Sequence, residues 1–261
     1  MKFPRVKNIL FSQNPPADFD SSPYAEIIKN YNIRIDFYKF FQMHGIPYEE
    51  FSKNKISFLD YNAIIMTNKN AIDHFFRIVE EMKIKMPVLS TKYFCSNAVT
   101  ANYLQKYTKC KKRKVFFPQD GDPEKLVTEI LRHADDKFLL PSAIDTSLNL
   151  LTKLLDKQKI NYDKAEVFKI SFADVSKAID IYAYDMVVFF SPYGIQTLMN
   201  SYPEFKQGKM IIGALGSRVI AAAQDAGLNV QIKAPTEKHP SIFSAIDHYL
   251  FHANGRKRYN K

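Results

Sequence analysis

Short segments that join hydroxyl, amide and basic side chains to small residues recur along this chain, each after an apolar run. The clearest are Ser191-Pro-Tyr193-Gly194, Thr67-Asn68-Lys69-Asn, Ser96-Asn97 and Gly213-Ala-Leu-Gly-Ser217-Arg218, and Ser142 closes a fifth run, Phe138-Leu-Leu-Pro-Ser142. Where a strand turns into a helix, such residues leave backbone N–H groups at the positive end of the helix dipole, which is chemistry for binding an anion such as a carboxylate. The plainer alternative is a capped connection, since every α/β protein has turns of this kind. Arg218 poses the same choice. A cation in a helix's first turn opposes the dipole, so a carboxylate held bidentately would account for it, whereas a solvated guanidinium needs no ligand.

Other chemistries find little support. The glycines near Arg218 lack the three-glycine spacing of a dinucleotide site, and neither a serine elbow nor a phosphate-loop lysine motif occurs. Six histidines are scattered, and the one helical i,i+4 pair, His248 with His252, lacks the glutamate of a zinc protease, so no metal is expected. The pairs Glu49/Glu50, Glu80/Glu81 and Asp135/Asp136 read as solvated faces. Lys109-Cys-Lys-Lys-Arg-Lys114 is the densest basic run. Without interleaved aromatics it reads as a solvated segment rather than a nucleic-acid patch, and Arg256 to Lys261 reads as a disordered end.

A surplus of ten positive charges, 37 Lys+Arg against 27 Asp+Glu, favours an anionic partner. It is shared evenly, five over residues 41–171 and five over the remainder, as a cleft gripping one anion from two sides requires. With 261 residues, 46% of them hydrophobic, the chain can fill two cores. The longest apolar stretches are strand-sized, no signal peptide opens the chain, and two cysteines make no disulfide framework, so a soluble cytoplasmic protein is expected, neither membrane-bound nor bound to nucleic acid.

The elements that must position these turns alternate short apolar strands with helical patterns, the mark of parallel sheets covered by helices. Strands are expected at Lys7–Ser12, Ala63–Thr67, Lys92–Cys95, Lys137–Pro141, Met186–Ser191 and Met210–Leu215. Two stretches repeat. Tyr61-Asn-Ala-Ile-Ile-Met-Thr-Asn matches Tyr184-Asp-Met-Val-Val-Phe-Phe-Ser at an offset of 123, and Cys95-Ser-Asn-Ala-Val-Thr-Ala matches Gly216-Ser-Arg-Val-Ile-Ala-Ala at 121, placing Ser96 and Ser217 in equivalent turns. The duplication predicts two similar α/β domains, one interrupted by the other: residues 1–36 with 172–254, and 48–164 inserted. Residues 37–47 and 165–171 are the expected linkers, and 255–261 a basic tail.

Val188-Phe-Phe-Ser-Pro-Tyr-Gly-Ile, then Ala214-Leu-Gly-Ser and Ala226-Gly-Leu-Asn-Val, resemble in order and spacing the C-terminal portion of uroporphyrinogen-III synthases. Lys92-Tyr-Phe-Cys-Ser, Tyr103-Leu-Gln-Lys-Tyr, Lys137-Phe-Leu-Leu-Pro-Ser and Ala71-Ile-Asp-His-Phe-Phe are similar to bacterial members, so the resemblance spans nearly the whole chain except the tail. It implies two flavodoxin-like, three-layer domains joined by a two-stranded linker. The implied activity is a cofactor-free, monomeric lyase that cyclises hydroxymethylbilane to uroporphyrinogen III, with loss of water and inversion of ring D.

On that resemblance the substrate's carboxylates would meet Thr67, Asn68, Lys69, Ser96, Asn97, Ser142, Ser191, Tyr193, Gly194, Ser217 and Arg218. The sequence departs from the family at the linker tyrosine, where Phe168 stands and cannot give a proton; Val219 likewise replaces a hydroxyl. Tyr38, Tyr162 and Tyr193 are the nearby candidates for the acid. A non-catalytic two-domain binder of a small polyanion is the alternative.

Overall fold

The structure is a computed structural model and describes residues 3–86, 90–144 and 150–255. In chain order the elements are β1 (Asn8–Phe11), α1 (Pro23–Tyr31), β2 (Arg34–Phe37), β3 (Phe41–Gly45), α2 (Tyr48–Phe51), β4 (Ala63–Met66), α3 (Lys69–Glu81), β5 (Lys92–Cys95), α4 (Ala98–Leu104), β6 (Val115–Phe116), α5 (Pro123–Leu131), β7 (Phe138–Ala143), α6 (Leu150–Lys157), β8 (Tyr162–Phe172), β9 (Met186–Phe189), α7 (Pro192–Ser201), β10 (Ile211–Leu215), α8 (Ser217–Asp225), β11 (Val230–Ala234) and α9 (Ile242–Asn254). The expected strands lie where the apolar runs placed them, with no end shifted by more than two residues. The tail residues 256–261 lie outside the described residues.

Two compact units form: unit 1 comprises residues 1–42 and 171–261, and unit 2 residues 43–170. The chain passes from one to the other within β3 and within β8, segments that the sequence sets apart as linkers. β3 and β8 are neighbours, tied by Ile46 N–H to Val167 O at 3.1 Å and Ala173 N–H to Phe40 O at 2.9 Å, bonds whose residue numbers run in opposite senses, as in an antiparallel pair.

Unit 1 is a parallel sheet in the order β11-β10-β9-β1-β2. One face carries Ile9, Phe11, Met186 and Val188 against Tyr24, Ile27 and Tyr31 of α1 and Ile242, Ala245 and Ile246 of α9. The other carries Leu10, Val187, Phe189 and Ile212 against Ile195 and Leu198 of α7 and Val219 and Ala223 of α8. A central strand covered on both sides must be apolar throughout, which is why Met186-Val-Val-Phe189 shows no polar alternation.

Unit 2 repeats the plan in the order β8-β7-β4-β5-β6, with β3 added beyond β8. Buried residues Ala71, Ile72, Phe75, Ile78 and Val79 form the apolar stripe of α3 and pack with α4 on one face; Leu126, Val127 and Ile130 of α5 and Leu151 and Leu155 of α6 cover the other. The two orders coincide strand for strand once β7 and β8 are set against β1 and β2. Unit 2 therefore has the topology of unit 1 with its first two strands moved to the end of the segment.

The correspondence reaches side chains. Tyr61 donates its hydroxyl to Asp163 of β8 at 2.8 Å, and Tyr184 donates to Asp36 of β2 at 2.9 Å, in each case across the intervening strand. Burial and the carboxylate together push each phenol up to about 12. The structure also corrects the second repeat. Helix caps Asn68 and Ser191 preserve the offset of 123, but Asn97 caps α4 as Gly216 caps α8, which is 119 rather than 121. The ladders agree, pairing Met66 with Cys95 and Phe189 with Ala214. Ser96 is therefore the counterpart of Leu215, and Ser217 of Ala98; short similar stretches allow a two-residue slip that strand pairing does not.

Asp136 is a second correction. Far from lying on a solvated face, its side chain is only 9% exposed and receives Lys92 Nζ at 2.6 Å and Asn62 Nδ2 at 2.9 Å. The bonds tie α5's far end to β5 and to the turn before β4, contacts distant in sequence.

Candidate functional site

In a doubly wound sheet, the strands on either side of the point where the order reverses send their helices to opposite faces and open a crevice at their C-terminal ends. In unit 1 that point lies between β1 and β9, in unit 2 between β7 and β4. Of the expected site residues, Ser191, Tyr193 and Gly194 follow β9, Ser142 lies at the end of β7, and Thr67, Asn68 and Lys69 follow β4. Ser96 and Asn97 follow β5 and Ser217 and Arg218 follow β10, one strand further along each sheet.

Their polar groups are not equally free. Asn68 and Asn97 accept from Ala71 N–H and Thr100 N–H, both at 2.9 Å, and Ser191 accepts from Tyr193 N–H at 3.2 Å, so these side-chain oxygens serve their own helices. The capped-connection reading holds for them. Asn68 Nδ2 donates to Thr67 Oγ1 at 3.1 Å, and Ser96 Oγ donates to Thr67 O at 2.7 Å, knitting the two turns of unit 2 together. Ser142 is buried, and its hydroxyl has no hydrogen-bond partner among the described residues.

The helix α8 differs. Its cap is Gly216, at φ +95° and ψ 147°, a conformation that disfavours any residue with a Cβ, and no side chain caps the first turn. Ser217 and Arg218, the first two helical residues, are exposed. Arg218 lies close enough to Tyr193 for its charge to pull that phenol's pKa down, while burial, the larger influence, raises it. Tyr193 is held by rings from both crossing strands, with Phe41 5.4 Å and Phe172 6.3 Å away between centroids. Uncapped amides, a guanidinium and a fixed phenol thus meet at one corner of unit 1.

Of the other tyrosines, Tyr38 follows β2 at the same end of the sheet and packs edge-on to Phe40 at 6.2 Å. Tyr162 opens β8, at the opposite end from the strand-end turns, and donates to Asp156 at 2.9 Å, which with burial pushes it up to about 12. Phe168 is 3% exposed, in the core of unit 2 and stacked on His74 at 5.5 Å.

Sequence reasoning missed Ser12. It follows β1 at the crevice of unit 1, it is 5% exposed, and its hydroxyl has no partner among the described residues. A Cβ on Gly194 would sit 3.4 Å from that oxygen and 3.1 Å from the Phe189 ring, so glycine lets the start of α7 close over it. A serine after a strand is too common to stand out; only the packing singles it out.

Fold and site together define a class: a doubly wound α/β protein of two like units, with polar turns at the strand ends. A family signature described as uroporphyrinogen-III synthase HemD matches residues 24–244, and the chain belongs to that family, lyases of tetrapyrrole and heme biosynthesis. No curated protein matches it. Among solved structures it is similar to a mutant uroporphyrinogen III synthase of the extreme thermophile Thermus thermophilus, at 10% identity and TM-score 0.68 over 95% of this chain and 98% of that one. It is also similar to the uroporphyrinogen-III synthetase of Helicobacter pylori, at 17% identity and TM-score 0.55 over 94% and 99%. These likenesses are of fold. Among the described residues no helix is long and apolar enough to cross a membrane.

Proposed function

We propose that the crevice corner of unit 1 performs the first chemical step of the family's reaction, the cyclisation of hydroxymethylbilane to uroporphyrinogen III. In this reading Arg218, Ser217 and the free amides of α8 receive a side-chain carboxylate, and Tyr193 gives the proton on which the terminal hydroxyl leaves as water. Loss of water leaves an electron-poor methylene conjugated with its pyrrole nitrogen, and ring D attacks it through its substituted α-carbon to give a spiro intermediate. The old bridge bond to that carbon breaks, and the freed methylene re-closes on ring D's unsubstituted α-carbon, whose proton replaces the one Tyr193 gave, so that ring D ends inverted. Closure without help gives the wrong isomer, so positioning of both ends is the larger part of the task. Within unit 2, Thr67, Lys69 and the buried Ser142 hydroxyl would take further carboxylates, whereas the side chains of Ser191, Asn68, Ser96 and Asn97 and the Gly194 N–H are engaged within their own turns. The reading calls for no cofactor, nucleic acid or membrane, and for one chain working alone in the cytoplasm.

The observation that carries it is the placement of Tyr193 and Arg218 in the first turns of α7 and α8, packed helices that follow neighbouring strands, the second with no side-chain cap. Burial keeps the phenol protonated at neutral pH, as an acid must be, and the guanidinium favours the phenolate left after transfer. Phe168, buried and without a hydroxyl, favours the second reading, a polyanion binder without turnover. Purified protein given hydroxymethylbilane should yield isomer III, and Tyr193→Phe should lower kcat about 100-fold with KM retained. A wild-type product that stays at the spontaneous isomer I would leave only the binder.

A further inference from the structure

We propose that Lys69 and Lys106, gathered over the ring of Tyr103, form a carboxylate clamp in unit 2 that grips the tetrapyrrole through an acetate or propionate arm; this rests on the functional reading above. The Nζ atoms lie 5.2 Å and 4.4 Å from the Tyr103 centroid. Both lysines are exposed and neither is ion-paired with a carboxylate among the described residues, unlike Lys92, Lys125 and Lys177. Lys69 is also the first residue of α3, whose first turn carries no acidic side chain. Two ammonium groups and the positive end of a helix thus converge on one ring, with neither ammonium group ion-paired among the described residues.

The nearest carboxylate does not relieve them. Asp73 accepts the Tyr107 hydroxyl at 2.6 Å and acts on the Tyr103 phenol as well, raising both pKa values, so its charge is directed at the tyrosines. Phe76 stacks on Tyr107 at 5.0 Å and completes a rigid platform. A cation over the face of a ring is held only weakly at an exposed site, and a second cation on the same ring gives part of that attraction back through repulsion. An anion between them removes the repulsion. A carboxylate on a short arm from a flat pyrrole suits the place, because the arm reaches the ammonium groups while the ring packs beside Tyr103. The sequence hid the pair, since the two lysines are 37 positions apart and only the packing of α3 beside α4 joins them.

The test compares Lys69→Ala, Lys106→Ala and the double variant with Lys111→Ala, a substitution in the exposed basic run. With hydroxymethylbilane at low salt, each single change should raise KM about threefold to tenfold, leave kcat within about twofold, and flatten the rise of KM with added NaCl; Lys106→Arg should restore KM. Equilibrium dialysis with uroporphyrin III, the oxidised product, reads binding without turnover, and the double variant should bind it at least about tenfold more weakly. KM, salt dependence and dialysis all equal to Lys111→Ala would overturn the clamp while leaving the enzyme reading intact. Wild-type protein that forms only isomer I, yet binds uroporphyrin III in a Lys69- and Lys106-dependent way, would overturn the enzyme reading and keep the clamp.

Discussion

Single side chains at the strand ends divide into those already occupied and those still free, and opposite consequences follow from removing them. Arg218 is exposed and near Tyr193, so Arg218→Ala should weaken substrate binding by the worth of a charge-assisted bond, about 1.5 kcal/mol or roughly tenfold in KM, with the melting temperature unchanged. An unaltered KM in a steady-state assay would return Arg218 to the solvated reading. Ser12 should behave differently. Its buried hydroxyl has no partner among the described residues, and such a group costs about 1–3 kcal/mol, so Ser12→Ala should stabilise the free protein by about 1 kcal/mol in urea unfolding. A loss of stability would mean that the hydroxyl is satisfied after all. Residue type singled out Arg218, Ser191 and Tyr193 in the sequence as candidates. It could not tell that Asn68 and Asn97 turn their oxygens onto their own helices, because an anion-binding turn and a capped one are written in the same residues.

At the scale of elements, apolar runs and periodicity placed the strands and helices, but they left pairing open. The slip of the second repeat shows why: Cys95-Ser-Asn and Gly216-Ser-Arg are alike over a few residues, whereas the cap of α8 and the ladder between β9 and β10 fix the frame two residues away. Packing between elements also sets the pH response. His74 of α3 stacks on Phe168 of β8, and its Nδ1 is buried beside Arg77 without a hydrogen-bond partner among the described residues; desolvation first, and then the guanidinium, hold its pKa below the ordinary 6.5. The charged side chains facing it are Arg77 and, with the opposite effect, Asp73. The unfolded chain therefore takes up the proton more readily than the folded one. The stability that neutral His74 contributes is complete above about pH 6.5 and is lost as pH falls toward the folded value. Urea unfolding should show stability declining from pH 7.5 to 5.0 by no more than about 1.4 kcal/mol per unit from this group, and His74→Phe should flatten that decline. His248, depressed by burial and by His252, His239 and Lys238, acts in the same sense, so part of the slope should survive the substitution.

On the scale of the whole chain, the interrupted first unit was legible because a repeat that fails to begin at the N-terminus must be nested or permuted. The order of strands made the permutation explicit: β7 and β8 stand to β4 as β1 and β2 stand to β9. An inserted unit should also be separable, provided that it closes its own core and its ends meet. Unit 2 has two clusters of buried residues, one on each face of its sheet, and its ends are joined by Ile46 N–H to Val167 O. A fragment of residues 41–172, which keeps β3 and β8 whole, should therefore fold alone. Its melt should be a single cooperative transition with an enthalpy of about 90 kcal/mol, taking about 0.7 kcal/mol per residue. A broad melt with no calorimetric peak would mean that the inserted unit depends on the rest of the chain, and that the two repeats became one folding unit after the duplication that their matching Tyr61–Asp163 and Tyr184–Asp36 bonds record.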